Sequence, residues 1–538
     1  MPDRPPSREA ARPNISRRQI LRGVVVGGLA IGGGRLLAAC SPTDENGTDA
    51  ATDSEVDDVN GQEGGTLRVG VVGGSASDTL DAHGGTSNAD IARGFQLYEP
   101  LALRNQDFVM EMVLAEEIVP NEEADVWTIR LKPDIAFHDG RTVTADDVVF
   151  SLQRITDPDD PKVGASVLSA VDHDGIEAVD ELTVRVPLTR PSGIFDEEVG
   201  QYFNAIVPVD YDPEDPVGTG PFKLESFTPG EEARFVKHEA YWRPNEPHVD
   251  ELVIINFADD SARANALMGG QVDIIDQFPI AQLTSIEEDT SFDTLISETG
   301  AWLPFTMRVD TAPFDDVRVR QAMRLIAGRE QLIDQSLAGQ GLRGNDLYSP
   351  FDPCFNSDLP QRQQEIERAR ELLAEAGQED LEVELVTAEI AAGVVESAQV
   401  LAQQASEAGV TINVRRVDSD VFFGEDYLSW PFAQSFWFTR SYLLQVAQSS
   451  LPGSPFNETH WEDEEFIALI EEARLTADDD ERCALLEQAQ ELEYERGGYI
   501  IWGFNNQVDA FSTDVTGLEE DRTGIPLNSY GFRKVQFV

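Results

Sequence analysis

Residues 127–151 read Trp-Thr-Ile-Arg-Leu-Lys-Pro-Asp-Ile-Ala-Phe-His-Asp-Gly-Arg-Thr-Val-Thr-Ala-Asp-Asp-Val-Val-Phe-Ser. Their rhythm changes twice. Trp127, Ile129 and Leu131 alternate with polar residues, which predicts a strand buried on one face. Asp139-Gly140 marks a turn. Thr144-Ala-Asp-Asp147 is a capping box, in which the Thr144 hydroxyl takes an orphan amide and Asp147 reaches back to the cap. Val148, Leu152 and Ile155 then recur on one helical face until Asp157-Pro158 stops the helix.

Working outward, Thr66–Val72 alternates and ends at Gly73-Gly74, another strand. Ile366, Ala369, Leu373 and Ala376 form a helical stripe closed by Gly377. Leu381–Val386 alternates as a strand. Val394, Ala398, Leu401, Ala402 and Ala405 form a helix closed by Gly409, and Val410–Val414 is a strand again. Strand, helix, strand in that order predicts a parallel α/β unit. Two amphipathic helices follow, on Phe466, Ile467, Ile470 and Ala473, then on Leu485, Leu486, Ala489 and Leu492. Gly218-Thr219-Gly220 lacks the lysine and the length of a phosphate loop and reads as a tight turn into a strand.

The chain has 538 residues, room for two to four domains and a large core. Its 99 acidic residues against 40 basic ones give a net charge of −59. A surface this negative excludes nucleic acid as a partner and excludes docking on anionic lipid through basic patches. Only 5 of the 40 cations are lysine. Two readings of the acidity stay open: solubility at high salt, where self-repulsion is screened, or an acidic exported protein of a GC-rich genome. Six histidines stand singly without metal-ligand spacing and read as surface or capping residues. Cys40, Cys354 and Cys483 are too few for a disulfide framework, and a Cys354–Cys483 bridge is allowed but not favoured.

Residues 1–39 differ from the rest, with seven arginines and two acids, so residues 40–538 carry −64. A cationic start, an apolar run Val24–Ile31 and small residues before Cys40 are the layout of a signal peptide. The run is too short and glycine-rich for a spanning helix. Ser16-Arg17-Arg18-Gln19-Ile20-Leu21 resembles the twin-arginine export motif, with Arg17 and Arg18 as its address. Leu37-Ala38-Ala39-Cys40 resembles a lipobox, which implies lipidation of Cys40. Residues 41–64 have almost no apolar side chains and read as a flexible acidic tether of roughly 25–30 Å.

No G-x-S-x-G, P-loop, H-E-x-x-H or Rossmann fingerprint is present, so no catalytic residue, cofactor or metal site is expected. Five further blocks stand in order with 127–151. They are Val217-Gly-Thr-Gly-Pro-Phe-Lys-Leu224, Glu239–Asp250 with Ala-Tyr-Trp-Arg-Pro-Asn, Ala266-Leu-Met-Gly-Gly-Gln-Val-Asp-Ile274, Pro313–Ala322, and Ala369–Gly377. Together they resemble the peptide/nickel (dipeptide and oligopeptide) solute-binding proteins of ABC importers, over 65–538. The resemblance implies an α/β fold of two lobes joined by a hinge, with an additional inserted domain. It implies lobe I from 65–94, 216–310 and 505–538, an inserted domain at 95–215, and lobe II at 311–504. It further implies a monomer, anchored to the membrane through Cys40, that hands a small-molecule or peptide-like ligand to a permease. A surface hydrolase built on an acidic pair, and a sensor that signals occupancy to a membrane receptor, are the alternatives. The absence of a histidine cluster disfavours nickel.

In peptide-binding members of that family a Trp is followed three residues later by an Asp that holds the ligand ammonium. The segment resembling it here is Phe436–Tyr442: Trp437 fits, but Arg440 stands at the Asp position. Asp426 is an alternative acid. Nine aromatic residues lie between Phe422 and Tyr442, a cleft lining or a core strand. Trp437, Arg440, Tyr442 and Trp430 are the leading ligand-binding candidates. Trp302 with Phe305, and Phe278 with Gln277, are weaker ones.

Overall fold

The computed structural model describes residues 61–538. The export motif, Cys40 and residues 41–60 of the tether lie outside the described residues. The first sheet has eight strands, with Thr66–Val72 near its centre. That strand pairs in parallel with Glu251–Phe257, from Thr66 opposite Glu251 to Val72 opposite Phe257, and with Ile274–Ile275. Glu232–Lys237 and Phe222–Thr228 extend one side as an antiparallel hairpin. Gly503–Ser512 and Phe292–Trp302 extend the other. Leu67, Val69 and Val71 are fully buried, as their alternation requires.

A second, antiparallel sheet joins Ala115–Pro120, Val126–Leu131, Thr183–Pro187 and Glu177–Asp180. The helix Ala145–Ile155 lies over it. Asp147 accepts from the Thr144 amide at 2.9 Å and its hydroxyl at 2.8 Å, closing the start of that helix. Val148, Leu152 and Ile155 are buried against Trp127 and Ile129. Gly140 holds the intervening turn at φ +89°, a conformation open to glycine at no steric cost.

The third sheet runs Thr411–Arg416, Glu382–Thr387, Phe432–Gln434, Phe305–Met307, Tyr499–Ile500. Its first two strands are parallel and in register from Glu382 opposite Thr411, as the strand-helix-strand pattern requires. The helix between them, Val394–Glu407, ends beside Gly409 at φ +84°, and the helix Ile366–Glu375 beside Gly377 at φ +70°. Two strand pairs run directly between the first and third sheets, and the short strand Gly341–Arg343 also joins the first sheet, against Gly503–Asn505. Phe292–Trp302 continues through Leu303-Pro304 into Phe305–Met307, and Tyr499–Ile500 through Ile501-Trp502 into Gly503–Ser512.

The bridge that the cysteine count left unfavoured is formed: Cys354 is joined to Cys483. Tertiary packing brings the two within reach. Gln490, on the helix Asp479–Arg496, donates to the Cys354 carbonyl and accepts from the Asn356 amide, both at 2.8 Å. The reading of the histidines as surface groups is also overturned for His83, His138 and His238, which are buried. Burial pulls His83 down to about 4 and His138 to about 3, so both are neutral at pH 7.

Candidate functional site

The segment Ser435–Ser441 continues from Phe432–Gln434, the central strand of the third sheet, beside the strand Phe292–Trp302 where it crosses into Phe305–Met307. The Ser435 amide donates to Pro304 O and the Trp437 amide to Trp302 O, both at 3.2 Å. Trp437 points into the body and Phe438 away from it, 62% exposed, while Phe436 is half-buried against the third sheet's core. Trp437 is 5% exposed, stacks on Trp302 with ring centroids 6.1 Å apart, and donates its indole N–H to Glu458 Oε2 at 3.2 Å. Arg440 is half-buried, with its guanidinium 5.7 Å over the Trp437 ring. Burial pulls it below the ordinary arginine value, and Tyr202 is the group that offsets this. Among the described residues Arg440 forms no ion pair with Asp426 or any other carboxylate, and Asp426 is exposed.

Tyr442 is fully buried. Its hydroxyl donates to Glu493 at 2.8 Å and its amide to Asp352 at 2.7 Å, so packing and hydrogen bonding occupy it. Trp302 is also fully buried, stacked between Tyr348 and Trp437. Phe305 lies in the third sheet's core. Phe278 lies in the core of the first sheet, away from this segment, while Gln277 beside it is exposed. Trp430 is half-buried, donates to Phe422 O at 3.3 Å, and lines a separate cavity with Tyr427 and Glu458. The fold thus brings Trp302, Trp437, Arg440 and Tyr442 together and places Trp430 one aromatic layer away.

Two other regions meet this segment. A Cβ on Gly524 would lie 2.4 Å from the Thr439 hydroxyl, so the C-terminal stretch passes directly over Thr439. Tyr202, which shares a field with Arg440, comes from the turn after the second sheet, and burial pushes its phenol up to about 12. Tyr202 also borders a cavity of about 360 Å³, counting its open mouth, with Asp90, Phe95 and Tyr98. The segment thus offers rings for stacking and, among the described residues, a guanidinium without a carboxylate partner.

Glu458 escaped the sequence reading. Nothing in its local pattern singles it out, because Trp437, Tyr427 and Tyr499 reach it from three separate segments.

Comparison with known proteins gives consistent results. The family model described as bacterial extracellular solute-binding proteins, family 5, middle, matches residues 110–443. The glutathione-binding protein GsiB of Escherichia coli K12 is 24% identical over 467 residues, covering 82% of this chain and 90% of that protein. The ABC transporter substrate-binding protein CtaP of Listeria monocytogenes superposes with a TM-score of 0.78 at 20% identity, covering 88% of this chain and all of that one. The periplasmic binding protein DppA of Helicobacter pylori, solved in complex with the peptide STSA, gives 0.68 at 20% identity, covering 88% and 98%.

Proposed function

Because the chain belongs to the bacterial extracellular solute-binding proteins of family 5, we propose that it is the lipid-anchored receptor that captures a peptide-like or other small organic solute between two lobes for an ABC importer. It is a binding protein of two-lobed α/β fold, not an enzyme. The observation that carries the receptor reading is the pair of strand crossings at Leu303-Pro304 and Ile501-Trp502. Two short links let lobes rotate about one axis, and Ser435–Ser441 lies beside that axis. Ligand bound there biases the closed state by touching both lobes.

The first, second and third sheets support the division into lobe I at 65–94, 216–310 and 505–538, an inserted domain at 95–215 and lobe II at 311–504, except that Phe305–Met307 pairs in the third sheet and Gly341–Arg343 in the first. Arg440 presents paired donors to a carboxylate, phosphate or electron-rich carbonyl of the solute, and Phe436 and Phe438 supply stacking area. An ammonium set against Arg440 would place two cations together at a partly dry site. Glutathione and the peptide STSA, carried by the relatives above, offer acceptors of this kind. The lipobox at Cys40, the twin arginines Arg17 and Arg18, and a cysteine bridge that needs an oxidising compartment all support an extracytoplasmic, membrane-anchored protein.

Mass spectrometry of solutes that co-purify with the protein tests the receptor reading; recovery of none, with no thermal shift across a peptide and metabolite library, overturns it. Cys40→Ala should move the protein from the membrane to the soluble fraction, and a protein still on the membrane would overturn the anchor.

A further inference from the structure

We propose that residues 521–525 are a strap of lobe I that closes over the solute segment 435–441 and swings aside for exchange on the left-handed turn 527–530. The proposal rests on the receptor reading for what the strap covers, and adds a gate to it.

The strap reaches across three parts of the fold. At its root the buried Asp521 donates its amide to Ser297 Oγ, on the first sheet, at 3.0 Å. Its tip leaves that sheet. The Arg522 amide donates to Gln106 O at 2.9 Å, in the region 95–215. The Arg522 guanidinium lies 4.8 Å over the ring of Phe351, in the region 311–504, and Phe351 in turn faces Phe108 at 6.4 Å. Gly524 stands directly against Thr439 of the solute segment. Ile525 packs against the first sheet's core, while Arg522 is exposed. A segment held at its ends by polar bonds, with little apolar burial of its own, belongs to the low-stability end of a fold and opens without the rest.

The turn behind the strap is strained. Leu527, Asn528, Ser529 and Tyr530 lie at φ +55°, +58°, +55° and +49°. Such a run is unfavourable for L-residues, because each Cβ crowds the following carbonyl oxygen, and none of the four is glycine. Hydrogen bonds hold it in place. The Leu527 amide donates to Asp509 at 2.7 Å, the Tyr530 hydroxyl to Asp276 at 3.0 Å, and the Gln96 amide group to the Tyr530 carbonyl at 3.0 Å. These three tie the turn to the body of lobe I. Two more tie it to the strap: the Ser529 hydroxyl donates to Asp521 Oδ2 at 2.6 Å, and the Thr523 and Ser529 hydroxyls pair at 2.9 Å. Strap and turn therefore hold one another. When the lobes part, the tip loses Thr439 and Phe351, the bonds at Ser529 lose their support, and relaxation of the turn favours the withdrawn strap. A strained backbone that its partners over-determine in one arrangement alone is a two-state element. Solute on 435–441 lies beneath the tip and favours the closed arrangement.

A Cβ on Gly524 would lie 3.3 Å from Thr439 Cβ, near the roughly 3.5–4.5 Å that a disulfide needs. Gly524→Cys combined with Thr439→Cys therefore locks the strap shut once oxidised, with Cys354–Cys483 left intact. Hydrogen exchange read by mass spectrometry decides the gate. In the wild type, residues 519–526 and 436–441 should exchange together, at least about tenfold faster than the strand Thr66–Val72, and the oxidised pair should slow both about tenfold or more. Protection of 519–526 equal to that of Thr66–Val72, or exchange at 436–441 that the lock leaves unchanged, would overturn the proposal. Should the double variant fail to fold or to oxidise, Ser529→Ala replaces it. Loss of both bonds to the strap should quicken exchange at 519–526 and 436–441 about tenfold with Thr66–Val72 unchanged, and exchange equal to wild type overturns the gate. Co-purified solutes separate the two readings. The oxidised pair should retain them through dialysis that strips the wild type; equal loss overturns the gate and leaves the receptor reading intact. A protein that binds no solute at all overturns the receptor reading, and the exchange measurement still decides the strap.

Discussion

Arg440 holds its charge over the Trp437 ring without a carboxylate beside it. A half-buried cation left unpaired adds little to folding and is available to a ligand. Arg440→Ala should therefore weaken binding of carboxylate-bearing solutes about tenfold or more, the scale of a charged hydrogen bond. The melting temperature should stay level or rise slightly. Calorimetry on the variant with a peptide series and the matching C-terminal amides checks both; affinities that do not change would show that Arg440 never meets the solute. Trp302 and Tyr442 behave differently. Both are fully buried in one aromatic stack, so their replacement by Ala should cost about 3–5 kcal/mol of stability before any effect on binding is readable.

Between elements, the loop Ser192–Ile194 of the second-sheet region docks on the helix hairpin Glu464–Leu475 and Asp479–Arg496. Gly193 donates to Arg474 O at 2.7 Å, and its carbonyl accepts from Arg482 at 3.3 Å. Ile194 is buried among Trp302, Trp437 and Phe466. A Cβ on Gly193 would stand 2.3 Å from the Thr476 carbonyl oxygen, and backbone cannot step aside cheaply. Gly193→Ala should lower stability by about 1–3 kcal/mol, the range for an overfilled contact. Protease cleavage near residues 189–196 should also quicken; a variant as stable and as resistant as wild type would show that the loop is not docked in solution. The same hairpin is tied down by Cys354–Cys483, which spans 129 residues. Reduction, or Cys483→Ala, should cost about 2–4 kcal/mol in denaturant midpoint.

The whole molecule carries −59 and also buries acids that hold their protons more tightly than exposed ones. Burial pushes Asp276, Glu198, Glu458 and Glu493 up to about 7, and Asp509 and Asp196 up to about 6. Raised acids hold protons that the unfolded chain has already released, so their contribution is full below the unfolded values and is lost as pH rises through 6 to 7. The lowered His83, His138 and His238 act in the opposite sense below about 6.5, but they are three against six. Melting temperature should therefore fall between pH 5 and pH 8. At pH 8 it should rise with salt from about 0.01 M, where the Debye length is about 30 Å, to molar levels. The pH slope should persist in molar salt, because buried groups are screened little. A flat salt response would remove self-repulsion as a cause, and a melting temperature that rises with pH would contradict the buried acids.

Much of the fold could be read from residues 127–151 and the blocks that follow, because strands, caps and helix stops depend on neighbours within a turn or two. The alternation at Thr66–Val72, the capping pair Thr144 and Asp147, and the stops at Gly377 and Gly409 are all of this local kind. Which face of an element meets which partner is not local. Trp302, Tyr442 and Phe278 carry the same aromatic signal as Phe423 and Phe438, yet the first three are buried and the last two exposed. His138 and His238 stand 100 positions apart in sequence and 5.0 Å apart in space, and Cys354 finds Cys483 across another long loop. The carboxyl of Glu458 acquires its place only when residues 427, 435, 437 and 499 converge on it. Periodicity is a property of adjacent residues and survives in one dimension. Burial, charge pairing and the membership of a site are set by which surfaces exclude water from one another, and that is settled only when the three sheets pack.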